Sequence, residues 1–230
     1  PQWRVIEGGS REYIKPLTAG FSDRLRTRMA VTGIRRGGVE GGAELTLEDG
    51  SVETFDHVVL ACHSDQALAL LRDPSAAERD ILGAIPYQKN DVVLHTDVRM
   101  LPRERRAWAS WNYQLSPGEQ RPTLTYNMNI LQGLNAPDTF CVTLNNTQAI
   151  NPHKILGRFD NDHPDFTLEG MRAQERWDEI NGTNTWFCGA YWQNGFHEDG
   201  VVSGLRVARA LAAPLSQDGA ITARMAVSAA

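Results

Sequence analysis

The run Phe187-Cys188-Gly189-Ala190-Tyr191-Trp192-Gln193-Asn194-Gly195-Phe196-His197-Glu198-Asp199-Gly200-Val201-Val202-Ser203-Gly204 constrains this chain more than any other stretch. It reads as a strand, a glycine-bearing aromatic loop and the start of a helix. Val201, Leu205, Ala208 and Leu211 recur at helical spacing and predict one buried helix face. The amides that open a helix lack intrahelical acceptors and carry partial positive charge, so they can hold an electron-rich ligand atom. Gly195, Gly200 and Gly204 remove side chains where a flat ligand or another backbone must come close. The local pattern leaves two readings open: a strand-to-helix crossover with glycine caps, or a ligand site.

Upstream, the pattern alternates between two kinds of strand. Ser10 suits the N-cap of a helical run through Tyr13, Ile14 and Leu17. Leu25, Met29, Val31 and Ile34 alternate with basic residues. Gly37-Gly38-Val39-Glu40-Gly41-Gly42 then reads as a hairpin loop, and Asp49-Gly50 as a second hairpin turn before Val52. Thr54 to Cys62 ends in a continuous apolar run, which suits a strand of a parallel sheet buried on both faces. Ser64 is the expected cap of a helix through Ala67 to Leu71. Beyond Ile85-Pro86-Tyr87, the segments 91–99, 107–113, 122–130 and 139–145 predict a four-stranded antiparallel meander. Residues 151–164 read as irregular, 168–180 as a helix, and 185–189 as a returning strand. The Ala/Ser-rich tail, 215–230, is expected to be flexible.

With 230 residues the chain can bury a sizeable core, as one large or two small domains. Net charge is −5 with the charges interspersed, and no basic stripe points to nucleic acid. Apolar runs such as Val58 to Cys62 are too short for a transmembrane helix. Cys62, Cys141 and Cys188 sit in apolar strand-like runs and read as buried free thiols, which fits a reducing cytoplasm. His153, His163, Asp160 and Asp162 share a polar stretch whose spacing matches no standard zinc pattern, so no metal site is expected. Adjacent Cys62 and His63 would point to opposite faces of a strand and make no nucleophile–base pair there. Arg103-Glu104-Arg105-Arg106 is most simply an exposed charged face.

The 187–204 run resembles the C-terminal flavin-binding motif of the flavin-dependent amine oxidase superfamily, the group of monoamine oxidases and phytoene desaturases. Asn194-Gly195-Phe196 and Ser203-Gly204 fall in register with that motif. Residues 55–68 and the Gly-Phe-His-Glu-Asp-Gly run are similar to a bacterial branch described as predicted NAD/FAD-binding proteins, often associated with cyclopropane fatty acid synthesis. The resemblance implies a non-covalently held FAD. By position it implies cofactor contacts at Val31, Ala61, Gly189, Phe196 and the run His197, Glu198, Asp199, Gly200, Val201. It also implies substrate contacts at Phe196, Tyr191 and Trp192.

The chain departs from the family in three places. It lacks the G-x-G-x-x-G fingerprint that cradles the cofactor's pyrophosphate. Ala190 stands where an acidic residue usually follows the strand. Val92 stands where many oxidases carry a lysine, with Lys89 the nearest candidate. The chain starts at Pro1 without Met and is read as a fragment that has lost its pyrophosphate-binding unit. The expected fold is therefore α/β plus α+β: a truncated Rossmann-like FAD/NAD(P)-binding domain (1–83 and 184–214) with an inserted antiparallel-sheet substrate domain (84–183). The expected function is FAD-dependent hydride abstraction from an apolar, amphipathic or lipid-like small molecule. The alternative is a non-catalytic remnant or substrate-binding module that does not hold FAD by itself, and a third reading has another subunit supply the phosphate-binding unit.

Overall fold

The computed structural model describes residues 4–37, 41–115, 123–215 and 225–228. Among them the elements run, in chain order, α1 (Ile14–Thr18), β1 (Val31–Arg36), β2 (Ala43–Leu47), β3 (Val52–Phe55), β4 (His57–Leu60), α2 (Ser64–Leu70), α3 (Ala76–Gly83), β5 (Tyr87–His95), β6 (Trp111–Gln114), β7 (Thr123–Asn127), α4 (Met128–Gln132), β8 (Cys141–Leu144), β9 (Ile155–Pro164), α5 (Leu168–Gln174), β10 (Thr185–Phe187), α6 (His197–Leu215) and β11 (Met225–Ser228). The chain divides into two compact units, Arg26–Gln88 with Pro164–Ala230, and Pro1–Leu25 with Lys89–His163. The unit boundaries fall at 25/26, 88/89 and 163/164, against 83/84 and 183/184 expected from the sequence, so residues 1–25 group with the second-named unit and not with the 26–88 segment. Ala173, Trp177 and Ile180 lie in the core of the first-named unit, which draws the 164–183 segment into it.

In that unit β1, β2 and β3 form an antiparallel sheet in chain order. The turn at Asp49-Gly50 is as expected: Gly50 has φ 84° and its N–H donates to the Leu47 carbonyl at 3.0 Å. The Gly37 N–H donates to the Gly42 carbonyl at 3.0 Å, which closes the expected hairpin; residues 38–40 lie outside the described residues. The second sheet has the order β10-β4-β11, all parallel. Val58, Val59 and Leu60 are all buried, as a strand inside a parallel sheet must be. Around β4 gather Ile34, Ile81, Leu82 and Phe187, each fully buried. Each such side chain contributes about 1.5–3 kcal/mol of hydrophobic stabilisation.

Four expectations are corrected in this unit. Met225–Ser228, inside the segment expected to be a flexible tail, pairs with His57–Leu60, because β4 offers a second edge of backbone donors and acceptors. Ser64 is the first helical residue of α2 and His63 occupies the cap, its N–H donating to Gln66 Oε1 at 3.1 Å. The helix expected over 168–180 breaks into α5 and a short 3-10 turn at Trp177–Glu179. The buried face of α6 is Ser203, Val207 and Leu211, whereas Val201, Leu205 and Ala208 are exposed. Apolar residues occur on both sides of this helix, so the period alone suits either. The tie is broken by Ser203, whose hydroxyl accepts the Gly189 N–H at 3.1 Å.

The other unit is built on a sheet of order β6-β7-β8-β5-β9. It is not the meander expected from the sequence: β5 pairs with β8, and β9 replaces the expected irregular stretch. Asp160, Asp162 and His163 therefore lie on a strand, not in a loop. At the chain's start, Ser10 opens a short 3-10 helix, and Gly9, which has no side chain to cap with, precedes it.

The apolar core of this unit is small, Val93, Met100 and Ile150. Beside it lies a buried polar chain. The Asp97 N–H donates to His95 Nδ1 at 3.0 Å, so the neutral ring carries its proton on Nε2. Nε2–H therefore donates to Thr143 Oγ1 at 2.8 Å, and the Thr143 and Thr125 hydroxyls share a hydrogen bond of 2.8 Å. Hydrogen bonds from Arg99 and the Asn151 N–H hold the Asp97 carboxyl well below the usual carboxylate range.

Burial holds the His95 imidazole below its ordinary 6.5, against a smaller upward pull from Asp97. The unfolded chain thus takes up a proton near 6.5 that the folded chain refuses. Stability is full above that pH and falls as pH drops toward the lower folded value. Urea midpoints measured from pH 8 down to pH 5 should decline, and the decline should be shallower in His95→Gln. Equal pH slopes in the two proteins would refute this account of His95.

Candidate functional site

Parallel strands present their carboxyl ends as a crevice in which α/β folds commonly bind ligands. Here β4 runs into Ala61, Cys62, His63 and Ser64, while β10 runs into Cys188, Gly189, Ala190, Tyr191 and Trp192. The Cys188 N–H donates to the Leu60 carbonyl at 3.0 Å, which carries the pairing one step past the strands and brings the two exits together. Cys62 and His63 follow the strand rather than lie on it, so opposite strand faces no longer describe them.

The loop after β10 is braced from three directions. Ser203 takes the Gly189 N–H. The Gln174 Nε2 group donates to the carbonyls of Tyr191 and Gln193, both at 2.8 Å. Asp199, itself buried, accepts from the N–H groups of Asn194 at 3.1 Å and Phe196 at 2.9 Å. A side chain at Gly189 would put Cβ 2.5 Å from the Tyr191 ring, so glycine is what lets that ring turn inward. Tyr191 is 3 % exposed, and Trp192, also buried, lies with its ring centroid 5.2 Å away.

The site is uncharged at its centre. Burial pushes the Cys62 thiol up, the Cys188 thiol up to about 11, and the Tyr191 phenol well above its usual value. All three cysteines are free and buried, as the sequence suggested. Tyr87 stacks on His63 with centroids 4.5 Å apart, and its hydroxyl accepts the Ser64 N–H at 3.0 Å. Among the described residues, four buried polar atoms here make no hydrogen bond of normal geometry, His63 Nδ1, Ser64 Oγ, Tyr191 Oη and Trp192 Nε1, although the His63 ring faces the Gln66 N–H and the Tyr191 phenol faces Trp192. Leaving such groups unmet costs about 1–3 kcal/mol each. These four lie together where β4 and β10 end, whereas buried polar groups are ordinarily paired.

Of the residues marked by the sequence, Ala61 and Gly189 follow the ends of β4 and β10, Gly189 lies close to the Cys62 carbonyl, and Tyr191 and Trp192 are buried just beyond. His197, Glu198, Asp199, Gly200 and Val201 open α6, with Phe196 immediately before them and partly exposed. Among the described residues no acceptor meets the amides of Glu198 and Asp199. Val31 lies on β1, in the antiparallel sheet rather than at the crevice. Val92 is a half-buried β5 residue paired with Leu144, and Lys89 is exposed. Sequence reasoning assigned no role to Gln174, Tyr87 or the His63 ring. Their partners lie 17 to 24 residues away in sequence, which no local period reveals.

A family model described as "Flavin containing amine oxidoreductase" matches residues 2–122. No curated protein matches the chain. Among solved structures, wild-type putrescine oxidase bound to putrescine is similar at 12 % identity and a TM-score of 0.59, over 90 % of this chain and 53 % of that one. The CLA-producing fatty acid isomerase from P. acnes is similar at 14 % identity and a TM-score of 0.55, over 87 % of this chain and 52 % of that one. The chain spans about half the length of these structures. At such identities the likeness is one of fold: mixed helix and sheet with antiparallel sheets. Among the described residues no helix is long and apolar enough to cross a membrane.

Proposed function

The chain belongs to the flavin-containing amine oxidoreductase family, and on that premise we propose that it forms part of an FAD-dependent oxidoreductase acting on an apolar or amphipathic small molecule, lipid-like substrates included. One observation carries the reading: four unmet buried polar atoms at the carboxyl ends of β4 and β10, in the same loop-and-helix motif that opens α6 with unaccepted amides. The residues present fit a flavin in chemical kind. Tyr191, Trp192 and Ser64 offer neutral donors to carbonyl or hydroxyl oxygens, and a neutral site suits an uncharged ring system. When bound, FAD supplies hydride acceptance.

In this reading the chain's own residues bind and orient. Ala61 and Gly189 allow close approach at the strand ends. The backbone amides of Glu198 and Asp199 donate toward the ring edge, His197, Gly200 and Val201 complete the turn that presents them, Val31 serves the adenosine half, and Phe196 serves the substrate side. Gln174, Ser203 and Asp199 hold the loop that carries them. The resemblance to the family supports a non-covalently held cofactor, and the three cysteines are buried. The β4 unit is the Rossmann-like part and the β5–β9 unit the substrate part, with a pyrophosphate-binding G-x-G-x-x-G unit contributed by further polypeptide. Three free thiols agree with a cytoplasmic location.

Asp199 already occupies two loop amides, and the rings of Tyr191 and Trp192 are turned into the core. These contacts favour a second reading for the chain alone, a folded module that does not retain FAD. Equilibrium dialysis tests both. The 230-residue chain should bind FAD more weakly than micromolar, whereas a longer gene product bearing the phosphate-binding unit should purify yellow with a flavin spectrum. A colourless, FAD-free longer product would sink the oxidoreductase reading.

A further inference from the structure

We propose that β9 pairs antiparallel with β9 of a second copy of this chain, about a two-fold axis through Phe159. Among the described residues β9 is the terminal strand in the order β6-β7-β8-β5-β9, and at ten residues it is long for an edge. Its outer half is open to solvent. Residues 158–163 are all exposed, Leu156 is 56 % exposed and Phe159 is 53 % exposed. The Phe159 ring lies over Gly157, where an added Cβ would come within 3.0 Å of the ring.

An exposed edge is a template for pairing, and charges on it normally block that pairing. Here the charge order does the opposite in one register. In antiparallel pairing centred on Phe159, residues equally far on either side face one another. Arg158 then lies opposite Asp160 of the partner subunit, and Asp160 opposite Arg158 of the partner subunit. Opposite charges directly across strands stabilise and like charges destabilise. Moving the axis to Asp160 sets Arg158 opposite Asp162 but places Asp160 against itself, and an axis between Phe159 and Asp160 leaves Arg158 facing Asn161. The Phe159 register is thus the one that pairs both members of the Arg158/Asp160 couple. It is also isologous, as a closed dimer requires. The inference does not depend on the flavoprotein reading.

The oligomeric state of the whole chain tests it. Light scattering on a sizing column, over roughly a hundredfold range of concentration, should show the mass rising from monomer toward dimer. Arg158→Asp alone should weaken the dimer about tenfold or more, as should Asp160→Arg, while the double exchange Arg158→Asp/Asp160→Arg should restore it. Phe159→Cys should form an intermolecular disulfide on mild oxidation, because directly opposed residues lie about 4.5–5.5 Å apart at Cα. Leu156→Cys, which would face Asp162 of the partner subunit, should not. The native cysteines are buried and give no background. A monomer at every concentration, or a dimer indifferent to both single charge reversals, would overturn the proposal. So would protection of Phe159→Cys from alkylation in a species of monomer mass, which would assign the edge to a contact within the chain.

Discussion

Arg36→Ala is expected to destabilise the chain by about 3–5 kcal/mol, the range for removing one partner of a buried ion pair. Arg36 ends β1 and reaches across to α3. Its guanidinium holds both Glu78 oxygens, one of them at 2.9 Å, and donates to the Asp73 carbonyl at 2.6 Å. The Glu78 side chain is only 3 % exposed. Without Arg36 its carboxylate would keep the Ser75 N–H at 2.7 Å and little else. The penalty comes from stranding that charge, not from the worth of the pair. Arg36→Met/Glu78→Leu, which removes both charges, should therefore recover most of the loss. Urea unfolding of the two variants decides the matter. A single-mutant loss below about 1 kcal/mol would place the pair among solvated surface bridges.

Phe187→Ala should cost about 3–5 kcal/mol, the range for deleting a buried phenylalanine ring. Phe187 is 0 % exposed and faces Leu60 across the β10–β4 pair. Its backbone is pinned independently: its N–H donates to Asn181 Oδ1 at 2.6 Å and its carbonyl accepts from Trp177 Nε1 at 3.0 Å. The strand is thus prevented from collapsing into the space left behind, which places the expected cost at the upper end. The unfolding midpoint should fall without a change in denaturant slope. Because β10 delivers Gly189 to the crevice, the same variant should loosen the candidate site. Faster amide exchange at Gly189 and Trp192 than in the parent would register that loosening.

Much of the second sheet was legible in advance because its signals are about burial. The unbroken Val58-Val59-Leu60 run can only suit a strand covered on both faces, and β4 is one. The βα unit from Thr185 into α6, the Asp49-Gly50 turn and the free thiols follow from equally local chemistry. The candidate site was legible in outline for the same reason: glycines at a strand end mark a close approach, and the structure supplies the Tyr191 ring as one object approached.

What escaped prediction has a common cause. Hydrophobic period reports which side chains leave water, whereas strand pairing uses backbone groups that every residue carries. β9 is exposed along its outer half and leaves almost no periodic trace, yet it is a full strand because β5 offers it a partner. β11 joins β4 by the same backbone logic. The residues of the chain therefore dictated which segments are buried strands, where it turns and where glycine lets a ring come close to the backbone. Only tertiary packing chose the neighbours of each strand, the face that α6 buries and the polar atoms left waiting at the crevice, because each choice is settled by groups far apart in sequence competing for one partner.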